Sequence, residues 1–232
     1  MLWGLKPVEQ QAAYGLAVAH LKRQVHLGML LPDERMPAER KLAEQIGISR
    51  VTLREALRVL EAEGYLRIRR GAAGGAFVAP EEHLRTMSLR GLSSDPVRVS
   101  RIFEYRAAVE PLAAKFAARR RTPSDMRRLD EALSEIRGAR TAGELRRGEA
   151  AFHLAIAEAS ANQLVTSSVE DALASLFMPL PRGPLDENVG QSGLLRSTVI
   201  DAVRDRAEPL AEQRMALVIE YEQTRVSDSK AA

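Results

Sequence analysis

The sequence predicts a mainly α-helical protein in two parts: a small N-terminal unit of helices with one two-stranded hairpin, followed by an all-α helical bundle. Three observations predict it. Between Pro37 and Pro80, two short helical patterns flank the tight turn Ile46-Gly47-Ile48-Ser49, and two strand-like runs then border a glycine-rich tip. Beyond Pro96 the apolar spacing is helical almost throughout. The chain has 232 residues, a length that suits two domains, and its hydrophobic content of 45% is enough for a core in each.

The first helix is expected from Val8 to Leu27, ended by Gly28 and the turn Leu31-Pro32-Asp33-Glu34. Ala38 to Gln45 follow as a second helix, its start favoured by Pro37 and Glu39. Ser49 suits the N-cap of a third, which ends near Glu63 and Gly64. Tyr65 to Arg69 and Ala76 to Ala79 are the strand candidates, joined through Arg70-Gly71-Ala72-Ala73-Gly74-Gly75. Residues 81–96 read as a linker between a domain of residues 1–80 and one of 97–226. Within the second domain, helices are expected near 97–121, 124–139, 142–160, 162–177, 192–206 and 208–226. Residues 227–232 read as a polar, flexible tail.

Bulk properties narrow the function classes. No apolar run approaches the eighteen or so residues of a membrane span, and the first ten residues hold no run long enough for a signal peptide. The absence of cysteine excludes disulfides and thiolate metal sites and fits a cytoplasmic protein. Residues 1–80 hold 12 Lys and Arg against 8 Asp and Glu, so the basic excess of the chain lies in the N-terminal domain.

The third helix carries the chemistry of that domain. Arg50, Arg54 and Arg58 recur every fourth residue along one face, and Leu53, Ala56, Leu57 and Leu60 line the opposite face. A helix apolar behind and arginine-lined in front suits a DNA major groove, where arginine pairs with guanine O6 and N7 and neutralises phosphates. Gly74 and Gly75 let backbone amides approach a phosphate or the minor-groove edge. One such module offers a small reading surface, so a homodimer on a near-palindromic double-stranded operator is expected.

These residues resemble the winged helix-turn-helix of the GntR family of bacterial transcription regulators. The matching positions are Pro37-Ala38-Glu39-Arg40, Leu42-Ala43, Gly47-Ile48-Ser49-Arg50, Leu53-Arg54-Glu55-Ala56-Leu57, Leu60, Glu63-Gly64 and the wing from Gly71 to Val78. Ala38 stands where the family usually has serine. The candidate DNA contacts are Arg35, Arg40, Ser49, Arg50, Thr52, Arg54, Arg58, Gly74 and Gly75. The second half resembles the ligand-sensing FCD domain of the FadR subgroup through Arg106 to Glu110, Ala113-Ala114, Phe152-His153, Ala157 to Asn162 and Val199 to Val203.

Many members of that subgroup hold a divalent metal with one aspartate and three histidines, and the metal helps grip a carboxylate effector. Carried over by position, those ligands fall on Glu149, His153, Arg196 and Val218, so only the first histidine is unchanged. Only one of the four histidines of the chain, His153, lies in this domain, and a transition-metal site normally needs three or more ligands. No metal and no other cofactor is therefore expected. A guanidinium at Arg196, with Arg106, is expected instead to anchor a carboxylate or acyl-CoA-like anion directly, with Glu149 and His153 beside it.

Other readings stand next to these. Arg196 could form a buried ion pair with Glu149, His153 could be a satisfied core histidine, and Arg106 with Glu110 could be a surface pair one helical turn apart. A metal-assisted carboxylate sensor is the alternative within the family. An enzyme lacks support, since no nucleophile elbow, phosphate-binding loop or HExxH pattern is present. An architectural DNA-binding protein without an effector would have a sealed bundle. The segment Met178 to Pro184 reads as a connecting loop rather than a pocket lid.

Overall fold

The computed structural model describes residues 13–71, 74–177 and 184–231. Two compact units emerge, one of residues 1–23 and 33–79, the other of 24–32 and 80–232. Residues 8–12 of the first expected helix, Ala72 and Ala73 of the wing tip, and most of the segment from Met178 to Pro184 lie outside the described residues.

The first unit draws on α1 (Ala13–His26) up to Arg23, on α2 (Glu39–Ile46) and α3 (Arg50–Ala62), then on β1 (Leu66–Arg69) and β2 (Gly75–Val78). Gly47 ends α2 at φ 76°, a left-handed conformation that glycine adopts without steric penalty, and its N–H donates to the Ala43 carbonyl. Ser49 caps α3 by accepting from the Thr52 N–H at 3.0 Å. Leu53, Ala56, Leu57 and Leu60 are all buried, packed with Leu42 and Ala43 of α2. The wing is antiparallel, pairing Leu66 with Val78 and Arg69 with Gly75. Arg35 bridges to Phe77 from the other side, so the wing rests on the turn before α2.

The second unit holds α4 (Glu81–Ser94), α5 (Pro96–Arg120), α6 (Pro123–Gly138), α7 (Ala142–Ala159), α8 (Gln163–Ser175), α9 (Leu185–Arg204) and α10 (Glu208–Ala231). Helix starts carry their own signals: Asp95, Thr122, Thr141 and Asn162 cap α5 to α8, and Thr122 with Asp125 completes a capping box. α5 packs on α7, α8, α9 and α10. Its Ala113, Ala114, Ala117 and Ala118 are fully buried, and such small side chains let neighbouring helices approach closely.

Three boundaries differ from expectation. Residues 81–96, expected as a linker, are mostly α4, whose Leu84, Ser88 and Leu92 are buried at helical spacing; Glu81 and Glu82 favour its start. α9 begins at Leu185 rather than near residue 192, because Asp186 and Glu187 supply its first turn. α10 runs on to Ala231, into the residues set apart as a tail. Among the described residues no helix is long and apolar enough to cross a membrane.

Candidate functional site

Arg50, Arg54 and Arg58 are all exposed on α3, opposite its buried leucines. Arg54 is oriented by Glu39 of α2, which accepts from its Nε at 2.7 Å and leaves the outer guanidinium nitrogens for a partner. Arg40 pairs with Glu44 one turn away at 2.9 Å. Arg35 donates from Nη2 to the Gly74 carbonyl at 2.6 Å, and its guanidinium lies 5.9 Å from the Phe77 ring centre. A Cβ at Gly74 would meet the Arg69 carbonyl at 2.4 Å, so only glycine fits at this point of the wing. A groove of about 570 Å³ between the start of α2 and the wing is bordered by Arg35, Glu39, Arg69, Gly74 and Gly75.

Ser49 and Thr52 hold each other, their hydroxyls 2.8 Å apart, so both shape the start of α3. Val51, which the sequence reading passed over, is 67% exposed on the same first turn. Its signal was a β-branched apolar residue next to Arg50, off the buried stripe.

The second site lies inside the helical unit. Arg106, Glu149, His153 and Arg196 converge there, each at most 6% exposed. Three further charged residues complete the cluster. Glu110 pairs with Arg106 at 2.5 Å, so this is no surface pair: both side chains are almost wholly buried. Glu222 of α10 sits among three cations, with His153 Nε2 2.8 Å from its Oε1, Arg106 Nη2 2.8 Å from its Oε2, and Arg196 Nη2 donating to Oε1. Arg225 Nη1 donates to Glu149 Oε1 at 2.7 Å. Ser192 bridges, donating to Glu149 at 2.8 Å and accepting from Arg196 Nη1 at 2.7 Å. Arg196 is 3.6 Å from Glu149, so its principal carboxylate is Glu222.

His153 Nδ1 lies 2.5 Å from Glu110 Oε2, although its N–H is not aligned for a hydrogen bond; the contact is an ion pair. Burial disfavours the imidazolium, but Glu110 and Glu222 outweigh it and hold the His153 pKa above its ordinary value. Burial likewise opposes ionisation of Glu222, yet His153, Arg106 and Arg196 keep its carboxyl well below the usual range. Glu110 is lowered by Arg106 and His153, and Glu149 by Arg225 and Arg196, each against burial. The cluster thus sets Arg106, Arg196 and Arg225 against Glu110, Glu149 and Glu222, three charges of each sign, with His153 held toward its protonated form among them. Burial of nearby Arg146 pushes its guanidinium down to about 10.

Glu222 and Arg225 were not foreseen. The available signal was a glutamate in register with the buried stripe Ala211, Met215, Val218 and Ile219 of α10. A cavity of about 30 Å³, lined by His26, Leu27, Arg146, Leu173, Leu176 and others, borders Glu149, His153 and Glu222. A divalent metal does not fit this donor set. Arg225 and Ser192 engage Glu149 Oε1, Arg196 places a guanidinium against Glu222, and Val218 has no donor atom. Among the described residues no group of three or more His, Cys, Asp or Glu side chains is arranged to hold a metal ion.

A capped, arginine-faced helix with a wing, joined in one chain to an all-α unit, defines a DNA-binding regulator with a second functional domain. Residues 13–78 match the family described as "Bacterial regulatory proteins, gntR family", and residues 101–221, about half of the chain, match the FCD domain. The chain belongs to the GntR family, in its FCD-bearing branch, a family of DNA-binding regulators rather than enzymes. The galactonate operon transcriptional repressor of Escherichia coli K12 is 28% identical over 221 residues, 91% of this chain and 95% of that protein. LutR of Bacillus subtilis is 34% identical over 142 residues, 60% of this chain and 64% of LutR. An E. coli K12 protein named for the L-lactate dehydrogenase operon is 39% identical over 138 residues; the match spans about half of each chain, 55% of this one and 51% of its own. The solved E. coli McbR/YncC structure shares the fold, with a TM-score of 0.55, 20% identity and coverage of 94% of this chain and 99% of that one.

Proposed function

We propose that this protein is an effector-responsive repressor that binds a near-palindromic operator as a homodimer in the cytoplasm. The observation that carries the reading is the exposed line of Arg50, Arg54 and Arg58 on a helix whose start is fixed by Ser49. Arg54, held by Glu39, is suited to read a guanine, and Arg35 and Arg40 to contact phosphates. Val51 beside them presents methyl groups suited to a thymine methyl. Gly74 and Gly75 bring the wing backbone close to the duplex. Repression is supported by the name of the galactonate repressor, similar over nearly the whole chain.

The helical domain senses an anionic metabolite without a tightly bound metal, with Arg106 and Arg196 as anchors and His153 and Glu149 beside them. Buried guanidinium N–H groups of Arg106 and Arg196 that have no hydrogen-bond acceptor support an anionic ligand. Such a ligand shifts DNA binding only through different affinities for the two states of the protein.

Native mass spectrometry of the full chain tests the metal-free dimer: the mass of two chains, alone or with an organic ligand, is expected. One zinc, nickel or manganese per chain would return the metal-assisted reading. Operator selection from random duplexes, followed by binding of Arg54→Ala, tests the reading helix. Specific affinity should fall roughly five- to 150-fold, or about 1–3 kcal/mol; unchanged selectivity would remove Arg54 from base reading.

A further inference from the structure

We infer that Arg106, His153 and Arg196 form a cage for a single carboxylate, that Glu222 of α10 is its built-in occupant, and that a ligand carboxylate enters by taking the place of Glu222. The inference rests on the reading of the helical domain as an effector sensor and names how that site works.

The geometry around Glu222 is that of a bound carboxylate. One of its oxygens faces His153 Nε2 and Arg196 Nη2, the other Arg106 Nη2. Those cations come from three helices, α5, α7 and α9, while the carboxylate comes from a fourth, α10. The cage walls are therefore independent of the element that fills them. The two guanidiniums are also not exhausted by this occupant. Arg106 Nη1 and Nη2 and Arg196 Nε are buried without a hydrogen-bond acceptor, Nη2 meeting Glu222 as an ion pair only, on side chains 1% and 0% exposed. Charge-assisted donors left over in such a place suit a ligand with more oxygen acceptors than one glutamate provides. Glu110 also pairs with Arg106 and His153, and Ser192 and Glu149 lie beside Arg196, so the walls keep partners when Glu222 leaves. The cavity of about 30 Å³ borders the cage at His153 and Glu222, and with Leu27, Ala150, Leu173 and Leu176 in its lining it is partly apolar. This geometry points to a carboxylate with a small, partly apolar body.

A tethered carboxylate competes with a free one at an effective concentration in the millimolar range or above, so exchange predicts that weakening Glu222 strengthens ligand binding. Acetate is the probe, since Glu222→Ala removes in effect one acetate from the cage. Thermal melts and calorimetry of the full-length protein should show saturable acetate binding in the order Glu222→Ala, then Glu222→Gln, then wild type. The concentration needed should rise at least about tenfold from first to last, with sodium chloride and acetamide as controls. If Glu222→Ala yields no folded protein, the comparison of Glu222→Gln with wild type decides. An equal response of every folded protein, no greater than that to chloride, overturns the cage. Saturable binding in the variants with none in wild type up to about 100 mM acetate makes Glu222 a permanent structural residue and overturns the exchange. Operator binding separates this inference from the sensing reading. Ordered acetate binding that leaves operator affinity unchanged supports the cage and counts against sensing.

Discussion

On the reading helix, Arg54 and Glu39 pair at 2.7 Å with 53% and 40% of their side chains exposed, whereas inside the helical domain Arg106 and Glu110 pair at 2.5 Å with 1% and 2% exposed. The residue types are the same and the distances nearly so. Burial separates their roles. The exposed pair is screened by water and contributes little to stability, so a phosphate or base can replace its partner at small cost. In the interior, every charge has lost its hydration and needs a partner, so the cluster strongly resists loss of a member but remains open to exchange of one carboxylate for another.

The largest expected effect tests that contrast directly. Arg196→Ala leaves Glu222 and Glu149 with one cation fewer in a buried setting and should destabilise the protein by about 3–5 kcal/mol in chemical denaturation. Arg54→Ala should change stability by no more than about 1 kcal/mol. Equal losses would erase the distinction between the two regions.

Next in size comes the cap that positions the arginine face. Ser49→Ala removes the acceptor of the Thr52 N–H and should cost about 1 kcal/mol, whereas Ser49→Asp should retain most of the stability. A neutral alanine variant would mean that packing of Leu53 and Leu57 alone fixes the start of α3.

Arg40→Ala should cost only a few tenths of a kcal/mol in stability, since its partner Glu44 is exposed one turn away. Its signature is the salt dependence of operator binding. If Arg40 meets a phosphate, the slope of log K against log salt should flatten by about 0.9 for each site occupied.

The mildest perturbation is proton loss from His153, which keeps its neighbours when neutral. Its pKa is raised on folding, so its contribution is complete below the unfolded value of 6.5 and fades as pH rises through the folded value. Glu110, Glu149 and Glu222 are lowered, so theirs is present above the unfolded value of 4.5 and lost as pH falls through the folded values. Cluster stability should therefore be greatest between about pH 4.5 and 6.5 and decline on the alkaline side. Replacing His153 with glutamine should abolish that alkaline decline in melts measured across pH, and persistence of the decline would place it elsewhere.

Much of the first unit was legible because its signals are local. Ser49 as a cap, Gly47 in the turn and arginines every fourth residue depend on neighbours within one or two turns of chain. Linker and loop boundaries were less legible, since α4 buries three residues and packs partly on α10, which is distant in sequence.

By itself the sequence determined the order of helices and hairpin, apart from α4, and the arginine face of α3. These follow from side-chain period and residue chemistry, which act within a single element. Only the tertiary structure decided that Arg106, Glu110, Glu149, His153, Arg196, Glu222 and Arg225 share one buried site. Helix spacing shows which face a charge occupies, but whether that face meets water or three other helices depends on packing among segments far apart in sequence. For ionisable groups that difference in solvation sets the role.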